Sequence, residues 1–114
     1  MRNPTHLIDF DRFSSDAMLE LFLREKAIIR EHSALPVTTN FMGMFKDVDY
    51  WSWAPHLDVI SDDLYPDPAD PQSHVLAAAT RDLMRSLGGG RPWLLMEQAT
   101  AAVNWRDRNV PKAR

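Results

Sequence analysis

The reading of the chain turns on residues 75–98. They run Val75-Leu76-Ala77-Ala78-Ala79-Thr80-Arg81-Asp82-Leu83-Met84-Arg85-Ser86-Leu87, then Gly88-Gly89-Gly90-Arg91-Pro92, then Trp93-Leu94-Leu95-Met96-Glu97-Gln98. In the first block Val75, Leu76, Ala79, Leu83, Met84 and Leu87 recur at the helical period and make one apolar stripe. Asp70 can cap that helix, Pro71 suits its first turn, and Gly88 can supply the left-handed residue just past its end. After Pro92 the apolar run is continuous. A strand apolar on both faces is what a parallel sheet covered by helices requires.

Working outward, Phe10 to about His32 repeats the helical signal at Phe10, Phe13, Ala17, Leu21 and Ile28, widened by Met18, Phe22 and Ile29. No Gly or Pro interrupts it, so one long helix is predicted. Pro36 then punctuates, and Val37-Thr38-Thr39-Asn40-Phe41 reads as a β-branched strand stopping near Gly43. Asp49 to Ala54 predicts a short aromatic helix ending around Pro55, and Leu57 to Ser61 a second short strand. Asp62 to Pro68 follows as a Pro/Asp loop. Helix, strand, short helix, strand, helix, strand and an irregular tail is the alternation of an α/β fold with right-handed crossovers.

A chain of 114 residues holds one domain, and its 45% hydrophobic and 25% charged residues are ordinary globular composition. A formal charge of −3, without a Lys/Arg cluster, offers nucleic acid no electrostatic footprint. The absence of cysteine excludes disulfides, thiolate zinc sites and cysteine nucleophiles. No apolar run approaches the roughly 20 residues of a membrane span, and Met1 to His6 lacks the core of a signal peptide. A soluble cytoplasmic protein is the expectation.

Reactive groups of α/β sheets and barrels collect at the carboxyl ends of parallel strands. Three such ends are expected, carrying Asn40, then Asp62 and Asp63, then Glu97. Glu97 follows buried strand immediately, and two readings stand: a solvated or helix-capping carboxylate, or a base or nucleophile tuned by an apolar wall. Trp105, eight positions on in a polar segment, either packs under its loop or stacks on an apolar ligand face, and Tyr65 invites the same pair of readings. His6, His32, His56 and His74 lack the short spacing of a metal pair, so no metal or other cofactor is expected. Asp67 and Asp70 lack the Gly-containing acidic spacing of a calcium loop. The triple glycine follows a helix and is a terminator, not a phosphate cradle. Asn104 has no Ser or Thr two residues on, so it is no glycosylation signal.

Val37-Thr38-Thr39-Asn40-Phe41-Met42-Gly43, Asp49-Tyr50-Trp51, Leu57-Asp58-Val59-Ile60-Ser61 and Tyr65-Pro66-Asp67-Pro68 stand in an order and spacing that resemble one known family. Asp82-Leu83-Met84-Arg85-Ser86, Leu94-Leu95-Met96-Glu97-Gln98 and Val103-Asn104-Trp105-Arg106 complete the match. The chain resembles, from about Asp9 onward, the family 42 glycoside hydrolases, β-galactosidases built on a (β/α)₈ TIM barrel. The resemblance implies that the three strands are the fifth to seventh of that barrel, so the 114 residues are a partial catalytic barrel. It makes Glu97 the nucleophile, Trp105 the aromatic lining of the galactose subsite and Tyr65 a tyrosine near it. It also implies retention through a glycosyl-enzyme and a galactoside substrate. The remainder of the barrel or a homo-oligomer, often a trimer in the family, is the implied protein partner. Some members carry a cysteine-ligated zinc, which this chain could not bind that way.

Two departures matter. The family's acid/base is a Glu in an Asn-Glu pair ending the fourth strand, and no Asn-Glu dipeptide occurs here. After Ser61 the family commonly reads Trp-Asp-Asn-Tyr, whereas Asp62 and Leu64 replace the Trp and Asn while Asp63 and Tyr65 match. Asp62 or Asp63 is not expected to supply the second carboxylate: Asp63 has a local use as a cap or turn acceptor, and nothing in the sequence raises the titration of either. The chain alone is therefore expected to be inactive, and, with two open sheet edges, marginally stable, aggregation-prone or partner-dependent. The alternatives are a catalytically silent galactoside-binding module using Trp105 and Tyr65, and a self-sufficient α/β interaction domain.

Overall fold

The computed structural model describes residues 3–98 and Val103. Helix α1 spans Pro4–His32. It starts well before Phe10 because Asn3 and Pro4 form a start signal that the apolar period does not contain: the Asn3 side chain accepts from Thr5 N at 3.0 Å, and proline suits the first turn. It ends where Ser33 turns extended and donates its N–H to Ile29 O at 2.8 Å.

The face α1 turns inward is not the predicted stripe. Ser15, Leu19, Phe22 and Lys26, spaced by four, three and four, share one side. Buried Ser15 accepts at Oγ from Asp49 N (3.0 Å) and Trp53 Nε1 (3.2 Å), two donors that need an acceptor inside. Leu19 and Phe22 pack on the core, Phe22 lying 5.9 Å from the Trp53 ring. Lys26 and Arg30 both reach Asp58. Phe10 and Phe13, the first residues of the predicted stripe, are 65% and 68% exposed, and Met18, Leu21, Ile28 and Ile29 are exposed with them.

Strand β1 is only Asn40–Phe41, shorter than the predicted 37–41. Its lead-in is extended but held by side chains rather than by a ladder. Val37 N donates to Asp58 Oδ2 at 2.6 Å, and Thr38 Oγ1 donates to Val59 O. Asp49 caps α2 (Tyr50–Trp53), which tightens into a 3₁₀ turn over Ala54–His56 at Pro55. Strand β2 is Ser61–Leu64, displaced from the predicted 57–61. Leu57 and Ile60 are buried in the core as irregular chain, and Asp62 and Asp63 lie inside the strand, not in the following loop.

Helix α3 spans Ser73–Leu87. Asp70 does not cap it. It closes a turn one step earlier, accepting at Oδ1 from Gln72 N (2.8 Å) and at O from Ser73 N (3.1 Å). Gly88 keeps a helical φ of −77°, and the left-handed residues are Gly89 (+62°) and Gly90 (+80°). The buried face of α3 is Ala77, Thr80, Met84 and Leu87, so Val75 and Leu76 remain exposed.

Strand β3 is Leu94–Gln98, and the sheet runs β1-β2-β3 with both pairs parallel. As an edge strand β3 is largely exposed instead of buried on both faces as predicted. The core forms between sheet and helices from Phe41, Tyr50, Trp53, Leu57, Ile60, Met84 and Leu87.

Candidate active site

Parallel pairing brings the carboxyl ends of all three strands to one rim, and the register decides which side chains share a face there. Ser61 pairs with Leu94 and Asp62 with Leu95, but Asp63 pairs with Glu97 and Leu64 with Gln98. Met96 is the extra residue of a bulge. Side chains alternate along a strand, so unbroken pairing would set Glu97 opposite Leu64, on the helix-covered face. The bulge moves it to the face of Ser61 and Asp63.

That face is polar. Thr38 Oγ1 and Ser61 Oγ lie 3.1 Å apart, and Ser61 Oγ donates to Thr39 O at 2.8 Å. Asn40 Nδ2 donates to Asp63 Oδ2, and the Tyr65 hydroxyl donates to Glu97 Oε2. Glu97 holds the Tyr65 proton in place: this hydrogen bond, then lost hydration, then the charges of Glu97 and Asp63 push Tyr65 up to about 12. Tyr65 is therefore a neutral donor over the whole physiological range. It engages one oxygen of Glu97 and leaves Oε1 without a partner among the described residues.

Asp62 belongs to the opposite face. It is fully buried, and its Oδ1 accepts from Gly43 N at 2.8 Å. Gly43 has φ +60°, a left-handed turn that glycine adopts freely, and it lies against Leu64 and Thr80. Asp62 Oδ2 has no hydrogen-bond partner among the described residues. Burial pushes the Asp62 carboxyl up, an effect the sequence did not suggest. Asp63 acts neither as a cap nor as a turn acceptor. It is the acceptor for Asn40 across the sheet.

The family model for glycoside hydrolase family 42, described as β-galactosidase, matches residues 1–114. The chain is 52% identical over 113 residues to a β-galactosidase of Geobacillus kaustophilus, covering 96% of this chain and 16% of that one. It is 47% identical over 113 residues to an Arthrobacter β-galactosidase, with the same coverage. The crystal structure of a β-galactosidase from Bacillus circulans sp. alkalophilus superimposes with a TM-score of 0.81 at 40% identity, over 90% of this chain and 15% of that one.

The chain belongs to glycoside hydrolase family 42.

It spans about one-sixth of the length of the curated relatives it matches, and its fold is a three-stranded part of the family 42 barrel. Of the site residues the family resemblance implies, Glu97 and Tyr65 are in contact at the rim, and Trp105 lies outside the described residues. The pair Asn40–Asp63 was missed as a pair. Its signal was available, because Asn40 and Asp63 both sit at expected strand ends, but the partner of Asp63 depends on where the second strand begins. No helix among the described residues is long and apolar enough to cross a membrane.

Proposed function

We propose that this chain carries the nucleophile side of a retaining β-galactosidase, acting on terminal β-galactosides in the cytoplasm, with Glu97 as the nucleophile. The observation that carries the reading is the Tyr65–Glu97 hydrogen bond on the bulge-directed face of the rim. A donor fixed on Oε2 orients the carboxylate, so that Oε1 can approach an anomeric carbon. Oε1 forms a bond to that carbon as the glycosidic C–O bond breaks, giving a glycosyl-enzyme. Water then attacks the same carbon and restores Glu97, with overall retention.

The leaving oxygen needs a proton, which retaining enzymes take from a second carboxyl group about 5–5.5 Å from the first. Asp63 is the nearest candidate by register, but Asn40 occupies one of its oxygens and the other is sealed from solvent. With no Asn-Glu dipeptide in the sequence, the proton donor comes from outside these residues. General acid catalysis contributes about 10²–10⁴-fold, so the chain alone turns over no appreciable galactoside. Trp105 completes the galactose subsite by family resemblance.

A 2-deoxy-2-fluoro-β-galactoside with a dinitrophenolate leaving group tests the nucleophile directly, because that group departs without a proton. The expected result is a stable fluorogalactosyl ester on Glu97, found by peptide mass spectrometry and absent from Glu97→Gln. Labelling of another carboxylate in a complete barrel containing this chain would overturn the assignment.

A further inference from the structure

Asn40 is exposed as the first residue of β1, opposite Ser61 and so on the same face as Asp63 and Glu97. Its amide has two unlike ends, and which one faces the cleft is decided by its neighbour. Asp63 is nine-tenths buried or more, and a carboxylate can only accept. It therefore draws the Nδ2 end of Asn40 toward itself and turns the carbonyl Oδ1 away, onto the rim. The result is a hydrogen-bond acceptor of fixed polarity beside the proposed nucleophile.

Two strand spacings separate β1 from β3, about 10 Å. That span is comparable with one pyranose ring and its hydroxyls, so a sugar lying over β2 could meet both Asn40 and Glu97. Asp63 Oδ1 is sealed from solvent and cannot touch a ligand, so its contribution passes through Asn40.

We propose that Asn40 is a specificity-determining residue that accepts a hydrogen bond from one sugar hydroxyl, and that Asp63 is the positioning residue fixing its polarity. This rests on the reading of Glu97 as nucleophile. The substrate feature it selects is a hydroxyl able to donate, at one position of the glycosyl ring.

The test uses a complete barrel in which residues 1–114 replace the homologous segment of the G. kaustophilus enzyme. It is assayed with an aryl β-galactoside and its monodeoxy analogues. Asn40→Ala is expected to lower kcat/KM for the parent sugar about three- to tenfold, the worth of one neutral hydrogen bond. For one deoxy analogue, already lacking the contacted hydroxyl, it should change nothing. Asp63→Asn, which keeps the shape but frees the Asn40 amide to turn, should reduce the enzyme's preference for the parent over that same analogue. An equal loss for every analogue, or no loss for any, overturns the proposal. If the hybrid does not fold, dissociation constants of the same sugars for the 114-residue chain, with and without Asn40→Ala, are read by the same criterion. Fluorosugar labelling separates the two ideas: ester on Glu97 with uniform losses refutes only the role of Asn40, whereas absence of the ester refutes the nucleophile.

Discussion

Replacing Asp58 by Asn removes the charge that ties α1 to the chain leading into β1 and β2. Asp58 accepts from Lys26 Nζ at 2.8 Å, from Val37 N at 2.6 Å and from the Arg30 guanidinium. The Lys26 hydrogen bond first, then the Val37 N–H and the two positive charges, lower its carboxyl from 3.8 to about 2. At 1.36 kcal/mol per unit that difference is worth about 2 kcal/mol before screening. The Asp58 and Arg30 side chains are 28% and 35% exposed, so solvent screening reduces the contribution to about 1–2 kcal/mol. The sign follows from the lowered value: the stability is present above pH 3.8 and is lost as pH falls through about 2. Urea unfolding followed by tryptophan fluorescence at pH 7, 5, 3 and 2 should show Asp58→Asn weaker than the parent by about 1–2 kcal/mol at neutrality. The two curves should converge toward pH 2. A difference that is constant across the series would refute the electrostatic account, since a purely geometric loss does not titrate away.

Asp62 should respond with the opposite sign. Its carboxyl is pushed up by burial, so the fold is favoured below pH 3.8 and is penalised as pH rises through the raised value. Asp62→Asn keeps an acceptor for Gly43 N and should raise Tm at pH 7 but not at pH 3; a lower Tm at pH 7 would contradict the burial argument. Tyr65→Phe removes the donor that orients Glu97 and should lower kcat/KM at least about tenfold in a complete barrel. An unchanged rate would mean that Glu97 is oriented by other contacts. Phe10→Glu with Phe13→Glu should suppress self-association of the chain in sedimentation velocity without altering far-ultraviolet circular dichroism. Loss of helix would show that these two side chains pack, contrary to their exposure.

What could be read in advance followed from residue type and period, and what could not followed from partners distant in sequence. The number, kind and order of the elements came from apolar spacing and from Gly and Pro. The inward face of α1 did not, because its buried residue is Ser15, chosen to accept two donors contributed by residues 34 and 38 positions away. The second strand was misplaced for a similar reason. Asp62 and Asp63 have low strand propensity, and only the Gly43 N–H and the Asn40 amide make their placement inside a sheet tolerable. Glu97 was legible as a strand-end carboxylate, but its contact with Tyr65 required the register.

The adjacent aspartates show how a single inserted residue organises the rim. Asp62 and Asp63 point to opposite sides of β2: one meets the turn at Gly43 beneath α3, the other meets Asn40 on the open face. Their neighbours on β3 would ordinarily be Leu95 and Met96, leaving a methionine beside Asp63 and sending the glutamate under the helices. With Met96 bulged out of the pairing, Glu97 takes that place, and Tyr65, one residue past β2, is in position to donate to it. The Asn40–Asp63 contact rests on the regular pairing of β1 and β2, whereas the carboxylate on β3 and its contact with the Tyr65 phenol depend on one local departure from the two-residue repeat. A bulge at this point is the structural reason why Leu-Leu-Met-Glu-Gln, rather than a strictly alternating strand, presents its glutamate on the open face beside Asp63.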